Sequence, residues 1–197
     1  MTPLLRHLTN TLGPLPPPAI EAAQTATRRL LGKGDPLLRA GERWQQLWWV
    51  EAGCLRLYYL DRNGQASNKN FHADQALLWP ITPALREQSV QFWVEATEAT
   101  TVWAMPWAPW SAAVADLPAW QALERRVLAL LLEDKMAREH AFLQHTAAER
   151  YQQLLIHHPD WARRVPLRHL ASYLGITDVA LSRIRRRLKH APPLNPG

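Results

Sequence analysis

The spacing of apolar residues changes character three times along the chain. Residues 18–31, with Ile20, Ala23 and Leu30, predict one short helix. From position 33 to about 107 the pattern becomes a series of short β-prone runs, at 47–50, 55–60, 91–96 and 101–105. The second run alternates Leu55, Leu57 and Tyr59 against Arg56, Tyr58 and Leu60, the pattern of a half-buried strand. Turn-forming residues separate the runs at 32–35, 40–42, 51–53 and 61–64, and Asn63-Gly64 is a hairpin pair. Many short strands at regular spacing predict a small antiparallel barrel or sandwich.

From Leu117 to about His145 the chain is helix-prone. Trp120, Leu123, Val127, Leu130, Ala137 and Ala141 keep alternating steps of three and four, the repeat of a helix that packs along its own copy. Asp134 falls on that stripe, where burial would demand a partner. A second stripe, Leu128, Leu132, Met136 and Leu143, offers another seam or a face for the barrel. Two apolar faces predict one partner inside the subunit and one outside, hence a homodimer. Thr146-Ala147-Ala148-Glu149 is a capping box and marks a new helix after a joint at 145–146.

The last apolar pattern is helix, tight turn, helix. Leu167, Leu170, Ala171 and Leu174 share one face, and Pro166 suits the start of the first helix. Gly175 stands where a left-handed cap is wanted; Thr177 is placed to cap the second helix, and Asp178 complements its positive end. In that second helix Leu181, Ile184 and Leu188 form the inner stripe, while Val179, Ser182, Arg183, Arg186 and His190 lie opposite. This is the division a DNA-reading helix needs. Arg183 is suited to a bidentate pair with guanine and Val179 to a thymine methyl; Arg185, Arg186 and Arg187 suit phosphates. A merely solvated arginine face, or a helix lying on a membrane, is the alternative. The membrane version wants a broad apolar face with Trp or Phe anchors, and here the inner stripe has three residues.

Charge sharpens this picture. The chain carries 23 basic and 17 acidic residues, a net +6. Residues 146–197 hold nine basic and three acidic ones, so the whole excess lies there and residues 1–145 are neutral. That distribution joins a polyanion-binding module to a neutral one. No run of 18 uncharged apolar residues occurs, and prolines 14, 16, 17 and 18 interrupt any signal-peptide pattern, so a cytoplasmic chain without a membrane span is expected. The single Cys54 excludes an internal disulfide framework and cysteine-built iron–sulfur or zinc sites, and next to Gly53 in a strand it is expected to be buried and inert. The ten tryptophans, most of them between positions 44 and 120, predict a bulky core, with a ligand cage as the alternative.

With these residues in place, the chain resembles the Crp/Fnr family of bacterial transcription regulators over roughly residues 14–188. Lys33-Gly34 with 37–42, then 50–59, then Asp61-Arg62-Asn63-Gly64 look like the family's first strands and hairpin. Ala171-Ser172-Tyr173-Leu174-Gly175-Ile176-Thr177, followed by Leu181-Ser182-Arg183-Ile184-Arg185, is the most specific match, and resembles the branch in which this unit ends the protein. The resemblance implies an α+β fold: a jelly-roll, cyclic-nucleotide-binding-like antiparallel barrel with an N-terminal helix (1–115), a long dimerisation helix (116–145) and a winged helix-turn-helix domain (146–197). DNA contacts would fall to Thr177, Asp178, Val179, Ser182, Arg183, Arg185, Arg186 and Arg187, and an effector pocket to Phe71, Trp79, Arg86 and Trp93.

The chain departs from the family at informative places. Cyclic-nucleotide-binding members carry Phe-Gly-Glu, for the ribose, and then an Arg for the phosphate. Here those stretches read Phe71-His72-Ala73-Asp74-Gln75-Ala76-Leu77-Leu78-Trp79 and Gln88-Ser89-Val90-Gln91. A buried phosphate without a positive partner or a Gly-opened backbone is costly, so no cyclic nucleotide is expected; Arg86 is the one cation near the second stretch. No cofactor or metal is expected, and a haem ligand such as His72 would stand alone. Where family members read bases with a Glu, this chain has Val179 or Ala180, so a different operator is expected. Prolines 192, 193 and 196 disfavour a strand after Leu188, which leaves 160–165 as the source of any wing. The expected function is a dimeric DNA-binding regulator acting on palindromic operators. An effector-independent regulator, or an interaction module with a solvated basic tail, is the alternative. Catalysis is not expected, because no phosphate loop, Gly-x-Ser-x-Gly or His-Glu-x-x-His motif occurs and His157-His158 point apart before Pro159.

Overall fold

A computed structural model of the protein describes residues 1–190. Two helices open it, α1 (Pro3–Leu12) and α2 (Pro17–Gln24). Strands β1 (Thr27–Leu31), β2 (Pro36–Leu38), β3 (Gln46–Ala52), β4 (Cys54–Leu60), β5 (Ala66–Ala73) and β6 (Leu77–Leu78) follow. Then come the short helix α3 (Pro83–Glu87), β7 (Trp93–Ala96), β8 (Thr100–Pro106) and α4 (Trp107–Val114). The long helix α5 (Pro118–Gln144) leads into α6 (Ala147–His157), α7 (Pro159–Arg164), α8 (Leu167–Tyr173) and α9 (Asp178–His190).

The strands form two four-stranded antiparallel sheets, in the orders β1-β8-β3-β6 and β2-β7-β4-β5. Their facing sides, among them Trp48, Val50, Leu55, Val94 and Val102, make one core. Trp49 and Leu47 of β3 and Met105 of β8 point the other way, into a second core built by α1, α2, α4 and Trp120 of α5. Both faces of the first sheet are therefore covered. Trp48, Trp110 and Trp120 are each at most 2 % exposed, and full burial of one large apolar side chain contributes about 1.5–3 kcal/mol. Most of the tryptophans thus serve as bulky filling, as expected.

The second sheet also buries both faces. The alternation along 55–60 predicted a half-buried strand; instead Arg56 and Tyr58 are buried, at 7 % and 5 %. The helical C-terminal domain sits against that outer face, through Cys54 and Phe71 on the sheet side and Tyr151, Leu170 and Leu174 on the helix side. Cys54 is buried there with its thiol pushed up by burial, as an inert thiol should be.

Other expectations are corrected. The single helix over 18–31 is α2 followed by β1, because residues 27–31 pair with β8 in register Arg29↔Val102, a partner that lies far along the chain. α1 went unforeseen, although Leu4, Leu8 and Leu12 stand one turn apart on its buried face. The Asn63-Gly64 hairpin exists, but its loop is wider than a two-residue turn: Leu60 pairs with Ala66, and Asp61 Oδ1 accepts from the N–H groups of Asn63 and Gln65. The segment 160–165, from which a wing was expected, is largely α7, and among the described residues the C-terminal domain holds no strand. The expectation about prolines 192, 193 and 196 lies outside the described residues.

Candidate nucleic-acid interface and groove

The helix pair at the C-terminal end follows the local sequence closely. α8 ends in a Schellman-type cap: Ile176 N–H donates to Ala171 C=O at 3.0 Å, with Gly175 at φ 68°. A Cβ at Gly175 would lie 2.6 Å from the Phe142 ring of α5, so glycine also permits the close approach of the turn to the long helix. Thr177 Oγ1 accepts from Ala180 N–H at 3.2 Å and starts α9, with Asp178 in the first turn. Leu181 is fully buried and Ile184 and Leu188 pack beside it.

The opposite side of α9 is open. Val179 is 57 % exposed, and Ser182, Arg183, Arg186 and Arg187 are exposed; Arg185 is half-buried on the flank. Among the described residues none of these four arginines has a carboxylate partner. The arrangement is a row of unpaired guanidinium groups on a rigid, capped helix whose other face is fixed by packing.

Polar contacts tie this domain to the sheets, and the local pattern of the chain held little sign of them. Arg56 of β4 donates to His169 Nδ1 of α8 at 3.0 Å and pairs with Glu95. Burial first, and Arg56 beside it, push the His169 imidazole down to about 4. Asn68 donates from its side chain to the His169 carbonyl and from its backbone to Ser172 Oγ, which in turn donates to Ala66 C=O. Arg164 pairs with Asp74 at 2.6 Å and donates to the Gly53 carbonyl at 2.9 Å. An arginine inside the apolar run 54–60 was the legible signal, since it needs a buried partner; the identity of that partner was not legible.

The first stripe of the long helix, expected to pack along a second copy, is split instead. Trp120, Leu123 and Val127 pack into the core beneath α1 and α4. Farther along, Leu128, Leu132, Met136 and Leu143 are 49 %, 58 %, 61 % and 73 % exposed. Leu130 is 48 % exposed and Ala137 is exposed, so the first stripe is covered only in its first half. Asp134 is exposed, and the buried partner it would otherwise need is not required.

Between α5, the 77–85 segment and the inner mouth of the second sheet lies a groove of about 470 Å³. Its walls are mostly apolar, from residues such as Trp44, Leu78, Trp79, Phe92 and Leu131, with Lys69, His72, Lys135 and Arg138 among them. Lys69 Nζ stands 4.5 Å from the centre of the Phe92 ring, and burial lowers its affinity for the proton. His72 is held near 4 by burial and by Lys69.

Of the four residues expected to line an effector pocket, only Trp79 borders this groove. Phe71 is buried between the domains, against Trp161 at 5.1 Å and Tyr173 at 5.8 Å. Arg86 is engaged elsewhere, donating to Pro80 C=O at 2.8 Å and pairing with Glu124. Trp93 stacks on Tyr58. Where the cyclic-nucleotide signature would stand, Asp74 faces Arg164 instead of the groove, Ser89 bridges to Arg43, and Val90 is a core residue. Lys69, His169 and Arg164 are the functional candidates that the sequence reading missed.

Other chemistry is not assembled among the described residues. No group of three or more His, Cys, Asp or Glu side chains is placed to hold a metal ion. His157 bonds to Gln153, whereas His158 stacks on Trp161 at 3.9 Å, so the pair does not converge on one ligand. Among the described residues no helix is long and apolar enough to cross a membrane.

By sequence, neither a family profile nor a curated protein matches the chain. Its architecture does match solved structures. FixK2 from Bradyrhizobium japonicum superposes with a TM-score of 0.71 at 21 % identity, covering 84 % of this chain and 85 % of that one. A double mutant of CooA from Carboxydothermus hydrogenoformans gives 0.71 at 15 % identity over 96 % of this chain and 85 % of that one. A protein from Eubacterium rectale, described as a transcriptional regulator of the Crp/Fnr family, gives 0.69 at 16 % identity over 92 % and 86 %. The chain has a Crp/Fnr-like fold: two facing sheets, a long helix and a helical C-terminal domain.

Proposed function

We propose that this chain, built on that fold, is a sequence-specific DNA-binding transcription regulator that acts as a homodimer. The observation that carries the reading is α9, a capped helix fixed by Leu181 on one side and presenting unpaired arginines on the other. Val179, Ser182 and Arg183, near its N-terminal end, are suited to base edges. Arg185, Arg186 and Arg187, with Thr177 and Asp178 at the helix start, are suited to the phosphate backbone. The uncovered stripe Leu128, Leu132, Met136 and Leu143 supports the dimer, because so many large apolar side chains on one helix face mark an association surface. Two copies related by a two-fold axis would read half-sites about 34 Å apart.

The groove beside α5 is then the effector site. It borders the dimer stripe at Leu128 and Leu132 and reaches Tyr173 at the end of α8, so a ligand there would touch the elements that set the spacing of the two reading helices. The walls lack the phosphate cradle of cyclic nucleotides, which supports a different effector. A DNA partner of this kind implies action in the cytoplasm, and the solved proteins of this fold named above support regulation rather than catalysis.

The test is selection of duplexes from a random-sequence pool by the purified chain at near-physiological salt. Recovery of a palindrome with half-sites one helical turn apart is the expected result. A pool enriched in no sequence, together with unchanged DNA affinity in Arg183→Ala, would overturn the reading.

A further inference from the structure

We propose that the groove binds a small organic monocarboxylate with an apolar body, its head group on the Lys69 ammonium and its body among Trp44, Trp79, Phe92 and Leu131. The proposal rests on the reading of this groove as the effector site and adds the chemical class of the effector.

Three features of the groove point the same way. Lys69 is half-buried and has no carboxylate partner among the described residues. A cation withdrawn from water without a counter-charge is costly, and a ligand anion relieves that cost. Trp44 and Trp79, 5 % and 3 % exposed, each carry a buried indole N–H with no acceptor. Indole nitrogen only donates, so two residues of the lining carry donors that no protein acceptor satisfies. Finally, Lys135 and Arg138 add positive charge, while Asp134 is the only carboxylate along the lining and is exposed on α5.

The count of charges limits the ligand further. Arg138 donates through its two terminal nitrogens to the carbonyls of Lys69, Asn68 and Tyr173, which fixes the guanidinium in the wall and leaves its buried Nε–H as a further donor without a partner. That leaves Lys69 as the half-buried ammonium of the lining without a counter-charge, with Lys135 exposed on α5, a set matched to a monoanion. A cation would be repelled, and a neutral ligand would leave Lys69 without a counter-charge. The volume suits a body of roughly drug-like size or smaller.

The experiment is calorimetric titration of the full chain at pH 7 with octanoate and with 3-phenylpropanoate, each beside its neutral primary amide, and with cyclic AMP. At least one acid is expected to bind, with its amide weaker by about tenfold or more, the usual worth of a charge-assisted contact. Preference for octanoate would identify an aliphatic body and preference for 3-phenylpropanoate an aromatic one. Lys69→Met is expected to bring acid and amide to equal affinity, and Lys33→Met, which makes the same charge change outside the groove, to leave the preference intact. Amides binding as well as acids, neither acid binding, or cyclic AMP binding in preference would overturn the proposal. Should Lys69→Met fail to fold, the contrast between acid and amide on the unaltered chain still decides. Recovery of a specific duplex without acid binding would sink the ligand class alone; acid binding without any selected duplex would sink the regulator reading and keep the site.

Discussion

Arg138 in the long helix donates to the carbonyl of Tyr173, the last residue of α8, at 2.9 Å. The same guanidinium donates to the carbonyls of Asn68 and Lys69 of β5 at 3.1 Å, so one side chain joins the long helix, the second sheet and α8. It also stands over the Tyr173 ring and in the groove wall. A displacement of Arg138 in the groove wall would therefore reach the end of α8.

Arg138→Leu should remove three donors at a half-buried junction. Carbonyls left without partners cost roughly 1–3 kcal/mol, so the midpoint of urea denaturation should fall accordingly, and cleavage by protease near residues 144–146 should accelerate. Arg138→Lys should recover little of this, because an ammonium cannot reproduce the planar fork. Equal stability of all three proteins would show that the junction is incidental.

The two kinds of arginine on α9 should separate experimentally. Arg183→Ala should cost ~1–3 kcal/mol of discrimination between the selected operator and a mismatched one. Arg187→Ala should weaken binding to all sequences alike and lower the slope of log affinity against log salt by about one. Fluorescence anisotropy over a salt series measures both quantities.

The docking of the C-terminal domain should depend on pH. His169 is buried and its imidazole titrates near 4 in the folded chain, against about 6.5 when unfolded. Between those values the unfolded chain holds the extra proton, so stability is full above about 6.5 and falls as the pH drops toward 4. The limit is about tenfold in the unfolding equilibrium per pH unit for this one group. His72, also held near 4, adds a term of the same sign. His169→Gln keeps an acceptor for Arg56 and should flatten the dependence between pH 6.5 and 5, as read from denaturation midpoints; an unchanged slope would place the titration elsewhere.

The exposed stripe of α5 should be the dimer seam. Leu132→Glu puts a charge at a site 58 % exposed in the single chain, so the subunit should fold normally. Buried without a partner in a dimer, such a charge costs ~3–5 kcal/mol, enough to give monomers in sedimentation and to weaken operator binding by about two orders of magnitude. A variant that stays dimeric would move the seam to another face.

What the sequence determined by itself is what local forces determine. Leu167, Leu170, Ala171 and Leu174 with Gly175 and Thr177 define two capped helices through contacts a few residues apart, and the arginines of α9 face solvent because its other stripe is the only apolar one. The ends of α5 and the strands β3, β4, β7 and β8 were legible for the same reason, as period and turn residues are local. Tertiary structure decided the rest. Residues 27–31 became a strand because β8 offered an edge. Arg56 and Tyr58 became buried because α8 covers a sheet face that alternation alone assigns to water. Residues two apart on a regular strand share a face, yet Phe71 went to the domain junction and Lys69 to the groove, because β5 is bulged at Lys69: Leu57 pairs with Asn70 and Tyr58 with Asn68. That Lys69 has no counter-charge among the described residues is a property of distances between remote segments, which no spacing along the chain contains.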